Sequence, residues 1–160
     1  GCLVKEKILT HTKMQGVPSG DHLLSTKISP RSSRSFCDMV YSMPDASLLE
    51  IFESPASTPF TIEHINEEFT SVCPVTGHPD FGVITLKYEP AKSCVELKSL
   101  KMYYQSFRNE GIYYEAVTNQ IRDDLVKCME PNWLQVVTSW RVRGGIRSNI
   151  TATFGDVPHC

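Results

Sequence analysis

The chain has 160 residues, of which 41% are hydrophobic and 21% are charged, and these values suit one globular domain with a proper core. The formal net charge of −2 argues against a nucleic-acid binder by bulk electrostatics, and no apolar run approaches the roughly 18 residues of a membrane span. The N-terminus lacks the long apolar core of a signal peptide, and the six cysteines form no CxxC pair. We therefore expect a cytoplasmic chain with free thiols at Cys2, Cys37, Cys73, Cys94, Cys128 and Cys160.

The first 45 residues are predicted to form a flexible basic arm. Residues 1–36 carry six Lys or Arg against two Asp or Glu, a charge of +4, which leaves ten against sixteen, or −6, for the remainder. Residues 11–36 are rich in Ser, Lys, Arg, Gly and Pro and contain few large apolar side chains. Such an arm can contact phosphate groups, although a solvated tail is the more ordinary interpretation. The folded domain is expected over residues 46–160.

Three extended segments are predicted before the helices. Residues 48–52 form the first strand, which Ser54 and Pro55 end, and residues 60–62 are also extended. Residues 82–88 are rich in β-branched side chains and predict a strand.

Two helices follow in the predicted order. The first covers residues 96–108, and the second, which is the clearer one, covers residues 113–129 with apolar side chains at spacings of four, four and three. Pro131 stops the second helix. The predicted apolar faces are Leu97, Leu100 and Tyr104 in the first helix and Val117, Ile121, Leu125 and Cys128 in the second.

A strand hairpin completes the predicted fold. Apolar residues alternate over 134–142, Gly144 and Gly145 turn the chain, and residues 146–154 form the last strand. Strands, two helices and then a hairpin indicate an α+β protein, with the helices on one face of an antiparallel sheet.

Cys73 lies in a turn that is shaped by Pro74, Gly77 and Pro79, and Asp80 follows seven residues after the cysteine. Such a turn can bring a nucleophilic thiol and a proton-donating carboxyl into one small space. Taken alone, a buried cysteine in a Pro-Gly loop is the commoner interpretation.

A zinc site is the other chemistry to consider at this turn. Cys73 and His78 are five residues apart, and Cys94 and Cys128 are available in the sequence. Zinc sites of this kind need a cluster of cysteine and histidine on shaped turns, and no second close pair exists. No metal is therefore predicted.

Lys98 and Lys101 lie three residues apart on the first predicted helix and so share one face. Two ammonium groups in this arrangement suit an anionic ligand such as a phosphate. A solvated basic face is the ordinary alternative.

These segments together resemble the NADPH-dependent 7-cyano-7-deazaguanine reductases, the QueF nitrile reductase family of queuosine biosynthesis, which modifies tRNA. The resemblance runs over residues 69–146, about half of the chain, with several motifs in the family's order. The motifs are Cys-Pro-x-Thr-Gly-x-Pro-Asp-Phe at 73–81, Glu-Leu-Lys-Ser-Leu-Lys at 96–101, Ser-Phe-Arg-Asn at 106–109 and Arg-Gly-Gly-Ile at 143–146.

The resemblance implies a tunnelling fold, in which an antiparallel four-stranded sheet carries two helices on one face. Units of this fold assemble into a homo-oligomeric barrel, and the active sites then lie between subunits.

The resemblance also implies the chemistry. Cys73 would attack the nitrile carbon of 7-cyano-7-deazaguanine to form a covalent thioimide, and Asp80 would supply the proton to nitrogen. NADPH would deliver two hydrides, which convert the nitrile to an aminomethyl group. Lys98, Lys101 and Arg143 would hold the cofactor phosphates.

The substrate contacts that the resemblance implies lie in two segments. Glu115 matches the family glutamate that binds the base, and Val95, Glu96 and Leu97 match the other substrate-contacting stretch. Tyr114 is assigned to the substrate site as well, although the family has histidine there. A tyrosine can stack and donate a hydrogen bond, but it does not titrate near neutrality.

Two other functions stay open on the sequence. Archaeal relatives of the family use the same cysteine to add ammonia to a cyano-modified base in tRNA, and a non-catalytic deazapurine- or pterin-binding protein is the third class. The complete motif at 96–101 favours NADPH over the transferase, and Cys73 with Asp80 favours an enzyme over a binding protein. We expect a small-molecule substrate and no nucleic-acid partner.

Overall fold

The computed structural model describes residues 44–158. The first 43 residues of the predicted arm lie outside this range. The elements in chain order are a short 3-10 helix at Ala46–Leu48, strands β1 (Ile51–Glu53), β2 (Ile62–Val72), β3 (Pro79–Glu89) and β4 (Ser93–Val95), helices α1 (Leu97–Ser106) and α2 (Tyr114–Met129), and strands β5 (Trp133–Trp140) and β6 (Asn149–Phe154). In this range no helix combines the length and the apolar character that crossing a membrane requires.

The main sheet is antiparallel and four-stranded, in the order β2-β3-β5-β6. One face of this sheet supplies alternate buried side chains, and both helices pack on them in a single hydrophobic core. The predicted α+β class and the four-stranded sheet are therefore confirmed. A separate two-stranded ribbon, which pairs β1 with β4, was not predicted.

Strand β2 is much longer than the sequence indicated. Residues 60–62 were predicted as extended, whereas β2 runs for 11 residues and pairs with β3 as far as Val72. Glu63, Glu67 and Glu68 interrupt the apolar pattern, but they point to the exposed side of a strand at the edge of the sheet. An edge strand tolerates such charges, which also discourage aggregation.

Helix α1 begins at an N-cap that the sequence motif supplies. The carboxylate of Glu96 accepts hydrogen bonds from the backbone amides of Lys98 at 2.9 Å and Ser99 at 2.7 Å. These are two of the amides that a helix start leaves without a partner. Of the predicted apolar face, Leu100 and Tyr104 are buried, while Leu97 is 60% exposed.

Helix α2 buries the predicted stripe of Val117, Ile121 and Leu125 completely. Met129, rather than the predicted Cys128, completes the buried row at the end of the helix. On strand β5 every second side chain enters the core, as its alternation predicted.

Candidate active site

The loop of residues 73–78 joins β2 to β3 and carries the candidate nucleophile. The backbone amide of Cys73 donates to the carbonyl of His78 at 2.9 Å, and the amide of Gly77 donates to the carbonyl of Cys73 at 2.9 Å. Gly77 has a φ of 70°, in the left-handed region that glycine adopts without strain. The loop is therefore closed on itself, which fixes Cys73 at the end of the sheet.

The segment that leads into α2 is tied to the same place. The amide of Val72 donates to the carbonyl of Glu110 at 2.8 Å, and the amide of Ile112 donates to the carbonyl of Val72 at 3.1 Å. This short parallel pairing brings the first residues of α2, Tyr114 and Glu115, beside the cysteine loop.

Arg143 reaches the site from the turn between β5 and β6. Gly144 and Gly145 have φ values of 57° and 81°, and Arg143 and Ile146 exchange two backbone hydrogen bonds across them. Two consecutive residues with positive φ suit a tight hairpin turn, which explains the glycine pair. The turn directs the Arg143 side chain toward the start of β3, where Asp80 lies.

Asp80 is only 5% exposed, and its side chain is held by two donors. Arg143 Nη1 donates to Oδ1 of Asp80 at 2.8 Å, and the Tyr114 hydroxyl donates to the same oxygen at 2.9 Å. Burying a carboxylate is costly unless it is paired and hydrogen-bonded, and both conditions are met here. Both hydrogen bonds that the side chain makes within residues 44–158 end on Oδ1, which leaves Oδ2 for a ligand. Ser71 lies opposite Asp80 in the sheet and is fully buried.

The half-buried thiol of Cys73 lies in surroundings that favour the thiolate. Its pKa is lowered to about 7, first by a hydrogen bond with the Thr76 side chain, then by the backbone amides of Thr76 and Val75, and last by Arg143. Partial desolvation acts in the opposite direction. A thiolate is the reactive form of cysteine, so the site suits a nucleophile at neutral pH.

Tyr114 is held in place by an aromatic stack. Its ring lies on the indole of Trp140 with a centroid distance of 3.9 Å and an interplanar angle of 11°. Gly82 makes room for that indole, because a Cβ at this position would lie 3.1 Å from Trp140 Cε3. The Trp140 ring nitrogen donates to Thr138 Oγ1 at 3.0 Å.

A cleft of about 220 Å³ lies beside Cys73 and Asp80. Five of the predicted site residues meet there. They are Cys73, Asp80, Tyr114, Glu115 and Arg143, and Pro74, Ile112 and Tyr113 complete the lining. Thr76 and Trp140 belong to the same arrangement and were not predicted as site residues, although Thr76 lies within the cysteine motif.

The second predicted substrate segment lies in another cleft of the same chain. Val95, Glu96 and Leu97 line a space of about 240 Å³ together with Phe52, Ile62, His64, Tyr88 and Cys94. The Glu96 carboxylate is engaged as the cap of α1, and its pKa is lowered by the hydrogen bonds from the Lys98 and Ser99 amides.

The two predicted cofactor lysines lie on the exposed surface of α1. Lys101 lines a third cleft of about 240 Å³, beside Arg108 and Thr70, and neither Lys98 nor Lys101 lines the cleft of Cys73. Among residues 44–158, neither lysine forms a salt bridge. Exposed ammonium groups one turn apart fit the phosphates of a nucleotide cofactor.

Comparison with known proteins agrees with the motifs. A family model described as "QueF-like protein" matches residues 79–158, which is half of the chain. A protein of Chloroherpeton thalassium is 57% identical over 108 residues, covering 67% of this chain and 93% of the relative. One of Rhodopirellula baltica is 59% identical over 109 residues, covering 68% of this chain and 90% of the relative. Both relatives are named NADPH-dependent 7-cyano-7-deazaguanine reductase.

A solved structure supports the fold. The crystal structure of the archaeosine synthase QueF-Like in the apo form matches with a TM-score of 0.56 at 18% identity, and the match covers 64% of this chain and 99% of that one. This similarity confirms the predicted tunnelling fold of the single chain. By its motifs, its fold and its identity to these relatives, the chain belongs to the QueF family, the NADPH-dependent 7-cyano-7-deazaguanine reductases.

Proposed function

We propose that this chain reduces the nitrile of 7-cyano-7-deazaguanine to the aminomethyl group of 7-aminomethyl-7-deazaguanine, with NADPH as reductant, in queuosine biosynthesis. The observation that carries the proposal is the shared cleft of Cys73 and Asp80, where a thiol with a pKa of about 7 lies beside a buried carboxylate. The names of relatives that are 57% and 59% identical support the same substrate and cofactor.

The first step is addition of the Cys73 thiolate to the nitrile carbon. A carbon–sulfur bond forms, one π bond of the nitrile breaks, and the nitrogen takes a proton from Asp80. Asp80 receives that proton when the thiol ionises, so formation of the thioimide needs no proton from solvent. Oδ2 is the oxygen that carries it, because Arg143 and Tyr114 both bind Oδ1.

Lys98 and Lys101 bind the cofactor phosphates in this proposal, since both ammonium groups are exposed on one side of α1. Two NADPH molecules, bound one after the other, would each supply one hydride to the former nitrile carbon, and the carbon–sulfur bond would break between the two transfers to release Cys73 as the thiolate. Arg143 was predicted to assist with the phosphates as well, and this stays a prediction, although its guanidinium contacts Asp80 and Thr76.

The base is recognised through Glu115, whose exposed carboxylate borders the cleft and can accept hydrogen bonds from the guanine-like edge. Tyr114 borders the same cleft. Val95, Glu96 and Leu97 supply the opposite wall of the substrate site.

We propose that this opposite wall comes from a neighbouring subunit of a homo-oligomer. Within one chain the Cys73 cleft and the Val95–Leu97 cleft have no lining residue in common. Strands β2 and β6 are the two edges of the main sheet and can pair with neighbouring copies into a barrel. Leu97 and Phe52, which are 60% and 50% exposed at the second cleft, would be covered in such an assembly.

We place the reaction in the cytoplasm, on the free base rather than on a nucleic acid.

Incubation of the purified protein with 7-cyano-7-deazaguanine and NADPH tests the function. We expect loss of reduced-nicotinamide absorbance, with two cofactors oxidised per aminomethyl product, and no loss with Cys73→Ala. If correctly folded protein oxidises no NADPH, the proposed reductase activity is contradicted. Addition of ammonia to a cyano-deazaguanine in tRNA, without oxidation of NADPH, would identify the transferase instead.

A further inference from the structure

The Arg143 side chain contacts Asp80 and Thr76 in the candidate site. Its Nη1 donates to Asp80 Oδ1 at 2.8 Å, and its Nη2 donates to Thr76 Oγ1 at 3.0 Å. Guanidinium nitrogens lie in a fixed fork, so two such contacts determine where the group sits.

We propose that Arg143 is a positioning residue for Asp80 and for the Cys73 loop, and that this role, rather than binding of the cofactor phosphates, is its contribution to the reaction. The inference rests on the proposed nitrile reduction. It assigns to Arg143 a task in the addition step, before any hydride is transferred.

The contact with Asp80 determines which carboxylate oxygen is available. Arg143 and Tyr114 both donate to Oδ1, so the carboxylate cannot rotate without breaking two hydrogen bonds. The remaining oxygen, Oδ2, is thereby kept for the proton that passes from sulfur to nitrogen. Without the Arg143 guanidinium, the buried Asp80 carboxylate would also lose the positive charge that compensates its own negative charge.

The contact with Thr76 acts on the thiol through one hydroxyl. A threonine hydroxyl has one proton to donate and can accept from other groups at the same time. Because Arg143 donates to Thr76 Oγ1, the hydroxyl proton is free to point at sulfur, and this Thr76 hydrogen bond is the largest cause of the lowered thiol pKa. Arg143 also lowers the pKa of the Cys73 thiol directly, as the smallest of these effects.

Other titratable groups surround this arrangement and remain present in an Arg143 variant. Tyr113, Tyr114 and Glu115 line the cleft from the segment at the start of α2, and His78 ends the cysteine loop. Asp80 and Tyr114 interact with Arg143 directly, so a change in thiol titration in the variant is assigned to the loss of Arg143 together with its effects on Asp80 and Thr76.

The experiment compares Arg143→Met and Arg143→Lys with Lys101→Met as the matched control. We measure the rate at which iodoacetamide alkylates Cys73 as a function of pH, by mass spectrometry of the Cys73 peptide, because the chain has six cysteines. We also measure kcat, and KM for NADPH, in the full-length protein. Lysine keeps a positive charge but cannot hold both Asp80 and Thr76 in the same fork.

In both Arg143 variants we expect the alkylation midpoint to rise by roughly half to one pH unit and kcat to fall by roughly 10- to 100-fold, with KM for NADPH within about twofold of the wild type. Lys101→Met should raise KM for NADPH and leave the midpoint where it was. A raised KM for NADPH with an unmoved midpoint in the Arg143 variants would overturn the inference and return Arg143 to the cofactor. The alkylation profile needs no turnover, so it tests this inference even if the wild type proves not to reduce the nitrile.

Discussion

The hydroxyl of Tyr114 donates a 2.9 Å hydrogen bond to Oδ1 of Asp80, the buried carboxylate of the candidate site. The family has histidine at this position, and the sequence assigned Tyr114 to substrate binding alone. The pKa of Tyr114 is raised, first by desolvation and then by the hydrogen bond to Asp80, so the phenol stays protonated across the neutral range. Tyrosine therefore provides a permanent neutral donor where a histidine would titrate.

Replacing Tyr114 with phenylalanine should lower kcat/KM by roughly 5- to 10-fold, because a hydrogen bond of this kind contributes about 1 kcal/mol. Phenylalanine keeps a ring that can stack on Trp140, so the melting temperature should change little. Steady-state kinetics and thermal unfolding measure the two effects.

Tyr103→Phe is the matched control for this change. The Tyr103 hydroxyl also donates to a carboxylate, Asp124 Oδ2 at 2.6 Å, but it lines no part of the Cys73 cleft. We expect that variant to lose stability and to keep its kcat/KM. Equal kinetic losses in both variants would show that the Tyr114 hydroxyl has no particular role in catalysis.

The Cys73 thiol should form a stable adduct with substrate when NADPH is left out. Thiolate addition to a nitrile has no leaving group, so the intact mass should increase by the full mass of 7-cyano-7-deazaguanine. Cys73→Ala should give no adduct. Cys128→Ala is the control, since Cys128 is a free thiol on α2 whose pKa is raised by desolvation, and this variant should form the adduct normally. An adduct that survives in Cys73→Ala would place the nucleophile elsewhere.

The rate at which iodoacetamide alkylates Cys73 should increase with pH through about 7. The folded-state pKa of Cys73 is lowered from its ordinary value to about 7, so the reactive thiolate predominates above that pH and falls about tenfold per unit below it. Thr76→Val removes the hydrogen bond that contributes most to the shift, and the midpoint should therefore move upward, toward the ordinary value of a thiol.

Thr153→Val makes the same substitution on β6, away from the Cys73 cleft, and should leave the midpoint unchanged. Stopped-flow or quenched mass measurements between about pH 5.5 and 9 record the profile. An unmoved midpoint in Thr76→Val would mean that the backbone amides, and not the Thr76 hydroxyl, set the thiol pKa.

The local sequence pattern predicted the elements whose side chains pack in the core. It did not predict features that depend on exposed residues or on contacts between residues far apart in the sequence. The spacing of Val117, Ile121 and Leu125 was sufficient for α2, because one face of that helix is fully buried. Most of β2 was not predicted, because its less exposed positions include the polar residues His64, Asn66 and Ser71 and a register shift after Asn66 interrupts the alternation.

The candidate site shows the same division. Cys73 and Asp80 are seven residues apart on one turn, so the sequence could place them together. Arg143 is 63 residues from Asp80, and only the pairing of β3 with β5 brings them into contact. No spacing in the sequence shows that pairing, so the contact between Arg143 and Asp80 could not be predicted from the sequence.

Gly82 affects the candidate site because it leaves room for the indole of Trp140, on which the Tyr114 ring is stacked. Alanine at this position would place a Cβ 3.1 Å from the indole and 3.3 Å from the carbonyl of Ser139, closer than side chains normally pack. The indole must then shift, and the Tyr114 ring that is stacked on it shifts as well. We expect Gly82→Ala to lower the free energy of unfolding by about 1–3 kcal/mol and to reduce kcat beyond the effect of losing the Tyr114 hydroxyl alone.

Gly111→Ala is the control for stability, because its Cβ would lie 3.5 Å from Pro74 Cα, an ordinary contact. Denaturant unfolding followed by tryptophan fluorescence, together with kinetics, measures both effects. A fully stable Gly82→Ala with unchanged kcat would show that the position of the indole does not control that of Tyr114.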